Sequence, residues 1–289
     1  MPGAPSKAVR CVAIFCKTSR MPDSIPFFRE AGEGPGVVCL HANSSSSGQW
    51  RDLIESLAPR FHVFAPDAYG SGKSPPWAGG PLRLLDEVAF LNPIFTRADE
   101  RFAIVGHSYG AAVALLAALS MTGRIAALVL YEPTLFSLLD AETPQTNEAD
   151  GIRAAVASAV RELEGGNTYR AAQHFIDFWM YEGAWAAMPE SRQAPIMQSI
   201  HNLPNWGAAL FNDTTPLSAF ATLDVPVLYM MGKDSPLSSR GVGRLLTATL
   251  PRVQVIEFEG LGHMGPVTHP QVVNDAIFRF IDLHCSSDD

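Results

Sequence analysis

Residues 102–105 read Phe-Ala-Ile-Val and run without a break into Gly106-His107-Ser108-Tyr109-Gly110, followed by the small residues Ala111-Ala112-Val113-Ala114. An apolar, partly branched run of this length suits a buried strand, and an alanine-rich stretch suits a helix. A strand turned into a helix through G-x-S-x-G constrains the fold strongly. The two glycines let the backbone pass close on both sides of a tight turn, which lifts the Ser108 hydroxyl above the sheet. The N–H of Tyr109 is left at the start of the helix, where it is free to face a negative charge.

The same alternation extends along the chain. Strand-like runs at 37–40, 61–65, 102–105 and 125–131 are separated by helical patterns at 50–57, 82–95 and 110–121. Strands that alternate with helices in this way make βαβ units and a mainly parallel sheet. The rhythm then changes. From Ser137 to Ala221 the periodicity is helical, rich in alanine and aromatics, and broken by Gly165-Gly166, Pro189, Pro195 and Pro204. Strands return at 225–231 and 253–258, with helices at 240–250 and 271–283. We therefore expect a core of residues 1–136 and 222–289 and an inserted helical module of residues 137–221.

Composition excludes several classes. A chain of 289 residues that is 47% hydrophobic and 17% charged has ample material for a packed core. Its formal charge of -8, with no lysine or arginine cluster, argues against a nucleic-acid partner. Apolar stretches such as residues 111–119 fall well short of the roughly 20 residues a membrane span needs. Lys7 and Arg10 precede the apolar run 11–16, which is too short for a signal peptide and reads as a first strand. Cys11, Cys16, Cys39 and Cys285 show neither metal spacing nor a disulfide framework, so we expect reduced thiols and a cytoplasmic protein.

Asp67-Ala68-Tyr69-Gly70-Ser71-Gly72-Lys73-Ser74 ends like a phosphate-binding loop. Asp67, however, stands where that loop needs its first glycine, and a carboxylate there would repel phosphate. Pro75, Pro76, Gly79, Gly80 and Pro81 follow, so no helix begins there to face an anion.

A serine hydroxyl needs a base within hydrogen-bond reach to act as a nucleophile. The loop after the last strand, Gly260-Leu261-Gly262-His263-Met264, places His263 at the sheet edge to which Ser108 points, and we assign it as the base. His269 reads as a cap or surface residue. His62, His174, His201 and His284 read as structural, and His41 and His107 as packed close beneath the site.

With these residues in place the chain resembles the α/β-hydrolase family over nearly its whole length. His41-Ala42-Asn43 followed by Trp50 resembles the family's oxyanion loop, with Ala42 where glycine is usual. The D-x-x-G-x-G-x-S pattern from Asp67 to Ser74 resembles its loop after the next strand, a structural turn beside the site. Gly262-His263-Met264 resembles its histidine loop. The resemblance implies an α/β-hydrolase fold: a mostly parallel central sheet flanked by helices, with a helical cap inserted after the sixth strand. It also implies backbone N–H groups of Asn43 and Tyr109 as the oxyanion hole.

Two carboxylates compete for the third catalytic position. In most of the family the acid follows a later strand in a G-x-x-D pattern, but here Gly232-Lys233-Asp234-Ser235 puts Ser235 in that slot and Asp234 one residue early. A minority uses a carboxylate just after the sixth strand, where this chain has Glu132. A glutamate closing a nearly all-apolar strand needs a reason, and on that ground Glu132 is favoured over Asp234.

Ser108 in place of an elbow aspartate disfavours dehalogenase and epoxide-hydrolase chemistry. What remains is attack on a carbonyl: a serine hydrolase of carboxylesterase type with a Ser-His-acid triad, acting on a small apolar ester without a cofactor or metal. A carbon–carbon bond hydrolase, a lactonase or a perhydrolase uses the same groups, and a non-catalytic small-ligand-binding protein is the reading of another class. His41, Trp179, Trp206 and Met264 are the expected pocket residues.

Overall fold

A computed structural model describes residues 25–146 and 148–286. Seven strands form one sheet in the order β1-β3-β2-β4-β5-β6-β7. They are β1 (Phe28–Ala31), β2 (Gly36–Leu40), β3 (His62–Pro66), β4 (Phe102–His107), β5 (Ile125–Tyr131), β6 (Val227–Gly232) and β7 (Val253–Phe258). β1 pairs antiparallel with β3, and every other pairing is parallel. The predicted strand at 11–16, with Cys11 and Cys16, lies outside the described residues.

The central strands are buried along almost their whole length because both faces of the sheet are covered. Along β2, Val37 and Cys39 join the hydrophobic cluster on one face, and Val38 and Leu40 join the cluster on the other. β4 and β5 alternate in the same way. The helices of the core are α1 (Arg51–Leu57), α2 (Leu84–Arg97), α3 (Tyr109–Ser120) and, after the insertion, α11 (Leu237–Thr249), α12 (Gly265–Thr268) and α13 (Pro270–Cys285). α1 and α13 contribute Leu53, Leu57, Ile277 and Ile281 to the first cluster, whereas α2 and α3 contribute Phe90, Ile94 and Leu115 to the second.

Between β5 and β6 the chain forms α4 (Ser137–Glu142), α5 (Asp150–Glu164), α6 (Thr168–Trp179), α7 (Ala184–Ala187), α8 (Glu190–Ser199), α9 (Leu203–Phe211) and α10 (Leu217–Phe220). Among the described residues this helical run follows the fifth strand rather than the sixth. β1 was not anticipated in the sequence. Asn202 donates from Nδ2 to the carbonyl of Gly70 at 2.8 Å, which joins the helical run to the loop after β3.

β2 lies between β3 and β4, so successive connections leave in opposite directions from β2 and β4 and open a crevice at their C-terminal ends. The residues singled out in the sequence converge there. No helix among the described residues is long and apolar enough to cross a membrane.

Candidate active site

Ser108 closes β4 in a left-handed conformation (φ 57°, ψ −115°), a strained geometry for a non-glycine residue. Close packing demands the two flanking glycines. A Cβ on Gly106 would lie 2.5 Å from Ala111 Cα, and one on Gly110 would lie 2.3 Å from the Leu40 carbonyl oxygen. The tight turn thus presses α3 against β2 and points the hydroxyl outward. His263 Nε2 stands 2.9 Å from Ser108 Oγ.

Nδ1 of the same imidazole is 2.7 Å from Glu132 Oε2. Glu132 follows β5 and is fully buried. Its other oxygen, Oε1, accepts from the Gly232 N–H at 2.7 Å and from Ser235 Oγ at 2.5 Å. A buried carboxylate with three donors is well compensated and acts as a fixed acceptor for the Nδ1 proton. Asp234 is solvent-exposed on the neighbouring loop, and the structure gives it no contact with His263. Ser235, in the slot the carboxylate usually fills, instead donates to Glu132.

Three further residues hold His263 in place, and the sequence did not assign them this work. His107 Nδ1 accepts from Gln49 Nε2 at 3.2 Å, so its Nε2–H donates to the His263 carbonyl at 2.9 Å. Burial, with the nearby His263 adding to it, pushes the His107 pKa well down and keeps the ring neutral for that role. Ser239 Oγ lies 3.3 Å from His263 Nδ1. Trp179, from α6, stacks on the His263 ring with centroids 3.9 Å apart and planes 26° from parallel. The adjacency of His107 to Ser108 was a usable signal. Gln49 and Ser239 carried none.

Asn43 and Tyr109 flank Ser108, and neither backbone N–H donates to another described residue. Gln49 fixes the first loop, because its Oε1 accepts from the Ala42 N–H at 3.1 Å while its Nε2 holds His107. Asp67 fixes the rest of that loop, its carboxylate accepting from the N–H groups of Ser47 at 2.6 Å and Lys73 at 2.9 Å. The phosphate-loop lookalike is therefore a tie between two loops. Gly72 leaves the room, since a Cβ there would lie 2.1 Å from Asp67 Oδ2.

Ser108 opens into a cavity of about 800 Å³ that His263, Met264, Trp179, Asn43, Ile196 and Met188 help to line. Of the four expected pocket residues, Trp179 and Met264 border this cavity, and His41 and Trp206 do not. His41 is buried beneath the loop; its Nδ1–H donates to the Ala42 carbonyl at 2.7 Å and its Nε2 accepts from the Ala68 N–H at 3.0 Å. Burial lowers its pKa and keeps it neutral. Trp206 is buried within the helical run, its ring centroid 6.3 Å from that of Tyr109. Both are packing residues. His269 is exposed at the start of α13, as expected.

A strand–serine–helix elbow, an imidazole between that serine and a buried carboxylate, and two unengaged N–H groups at a sheet crevice define a class, and sequence comparison gives it a name. A model of the alpha/beta hydrolase family matches residues 37–276, and the chain belongs to that family. Among its relatives is a pimeloyl-[acyl-carrier protein] methyl ester esterase of Yersinia pseudotuberculosis, 24% identical over 263 residues that span 89% of this chain and 97% of the relative. An alpha/beta hydrolase from Sphaerobacter thermophilus has a similar structure, with a TM-score of 0.70, 26% identity and coverage of 92% of this chain and 100% of that one. An esterase from Rhodococcus is similar in fold, with a TM-score of 0.72, 22% identity and coverage of 90% and 98%.

Proposed function

We propose that this chain is a serine hydrolase that cleaves carboxylic esters through an acyl-enzyme on Ser108. The observation that carries the reading is the continuous chain from Ser108 Oγ through His263 to Glu132, at 2.9 and 2.7 Å, where Ser108 meets the large cavity. The relatives named as esterases support the choice of an ester.

In this mechanism His263 Nε2 takes the Ser108 proton as Oγ adds to the carbonyl carbon, and Glu132 holds the imidazolium through Nδ1–H. The N–H groups of Asn43 and Tyr109 receive the oxyanion, each worth on the order of a hundredfold or more in rate. Collapse breaks the bond to the alcohol, which leaves with the proton from Nε2. Water then repeats the cycle on the acyl-enzyme.

Residues 137–221 act as a cap over the serine and the remaining residues as the hydrolase core, a division supported by the stack of Trp179 on His263. The substrate is a small molecule with an apolar acyl or alcohol group. We read the enzyme as cytoplasmic, with reduced thiols.

Turnover of p-nitrophenyl esters by wild type and Ser108→Ala tests the proposal. We expect a loss of at least about 10⁴-fold in kcat with folding unchanged. Full activity in the variant removes Ser108 from the mechanism.

A further inference from the structure

Two cavities meet at Ser108. Besides the large one there is a small space of about 20 Å³, also bordered by Asn43, Ser108 and Trp179, and by Thr134, Leu203 and Leu210. His263 lines the large cavity and is absent from the walls of the small one.

That asymmetry orients a substrate, given the ester-hydrolase reading above on which this inference rests. The tetrahedral carbon carries Ser108 Oγ, the oxyanion, the acyl chain and the departing alkoxide. The alkoxide receives its proton from His263 Nε2, so it must lie beside the imidazole, in the large cavity. Water for deacylation is activated by the same nitrogen and enters the same way. The acyl chain is left with the small space.

Size and chemistry then limit the acyl group. At about 20 Å³ against about 800 Å³ for the large cavity, the small space admits only a short group. Its walls are mostly apolar, yet two of the residues that line it, Thr134 and Asn43, carry a buried Oγ1 and Oδ1 without a hydrogen-bond partner among the described residues. Thr134 itself is 1% exposed. A buried polar atom left unpaired costs free energy that a plain alkyl chain does nothing to recover, whereas a hydroxyl offers a donor to the amide oxygen and a partner to the threonine.

We propose that the small space is the acyl compartment and accepts a short hydroxyacyl group, with the alcohol of the ester held in the large cavity. Hydrolysis releases a short hydroxy acid and an alcohol, consuming one water.

The test is kcat/KM for benzyl acetate, propionate, 2-hydroxypropionate and octanoate, with wild type, Thr134→Val and Leu210→Ala. In wild type the 2-hydroxypropionate should exceed propionate by about tenfold, and octanoate should fall at least about tenfold below propionate. Thr134→Val should bring the hydroxyl preference toward one, and Leu210→Ala should raise octanoate relative to propionate. Should either variant fail to fold, the wild-type series still decides. Serine-dependent hydrolysis that favours octanoate, or that treats propionate and its hydroxy derivative alike, overturns the compartments and leaves the esterase reading standing. No hydrolysis of any ester, together with no labelling of Ser108 by a phosphonate, overturns both.

Discussion

Glu132 adopts φ 46°, a backbone conformation that a glutamate seldom takes, and Ser108 on the adjacent strand does the same at φ 57°. Two strained residues at neighbouring strand ends point their side chains at one imidazole, which is where strain is expected to persist. Replacing Glu132 by Gln keeps the shape but places an amide against Nδ1, and the carboxylate that stabilises the imidazolium is gone. We expect Glu132→Gln to lower kcat by about 10³–10⁴-fold, and exposed Asp234→Asn to change it less than about threefold, both measured on one ester. The reverse ranking would give the role to Asp234. Glu132 was legible because a carboxylate at the end of a buried apolar strand is anomalous on its own. Its donors were not, since Gly232 and Ser235 reach it only through the register that pairs Tyr131 with Met230 across roughly a hundred residues of chain.

At the scale of elements, two strands could be read to the residue: Ile125–Tyr131 and Val253–Phe258 match their predicted bounds. β1 could not. Its four residues, Phe-Arg-Glu-Ala, carry two charges and pair, among the described residues, only with β3, so no period distinguishes it from a loop. The elbow was legible in full because its glycines answer a steric demand that any strand-to-helix turn of this kind makes. That demand yields a prediction. A methyl on Gly110 meets backbone, not a yielding side chain, so Gly110→Ala must push α3 away from β2 and spread Asn43 and Tyr109 apart. We expect a loss of about 1–3 kcal/mol in stability by urea denaturation and a fall in kcat larger than any change in KM. An active, equally stable variant would show that the elbow tolerates more room than its contacts imply.

At the scale of the whole molecule, Glu87 is a buried carboxylate with no cation paired to it among the described residues. Glu87 on α2 is fully buried and accepts from the Tyr69 N–H and the Tyr109 hydroxyl, both at 2.9 Å. It therefore links the loop after β3 to the helix that begins at the elbow. The predicted helix contained this residue, but its burial depends on how α2 packs against α3 and the 67–74 loop, which no local pattern reveals. Burial raises its pKa from 4.5 to about 7, more than its two hydrogen bonds lower it, and Asp86 pushes it further up. Between those values the folded chain holds a proton that the unfolded chain has released, so stability contributed by this group is present below pH 4.5 and is lost as pH rises through 7. The full span amounts to on the order of 3 kcal/mol. Glutamine keeps an acceptor for the Tyr69 N–H and cannot ionise. Urea midpoints at pH 5, 6.5 and 8 should therefore fall for wild type and stay nearly level for Glu87→Gln, with the variant the more stable protein at pH 8. A variant weaker by the same amount at every pH would mean that the two hydrogen bonds, not the charge, set what Glu87 contributes. Stabilisation at high pH combined with slower turnover would instead mark the residue as held for its grip on Tyr109, at a cost to the fold that grows as the carboxylate ionises.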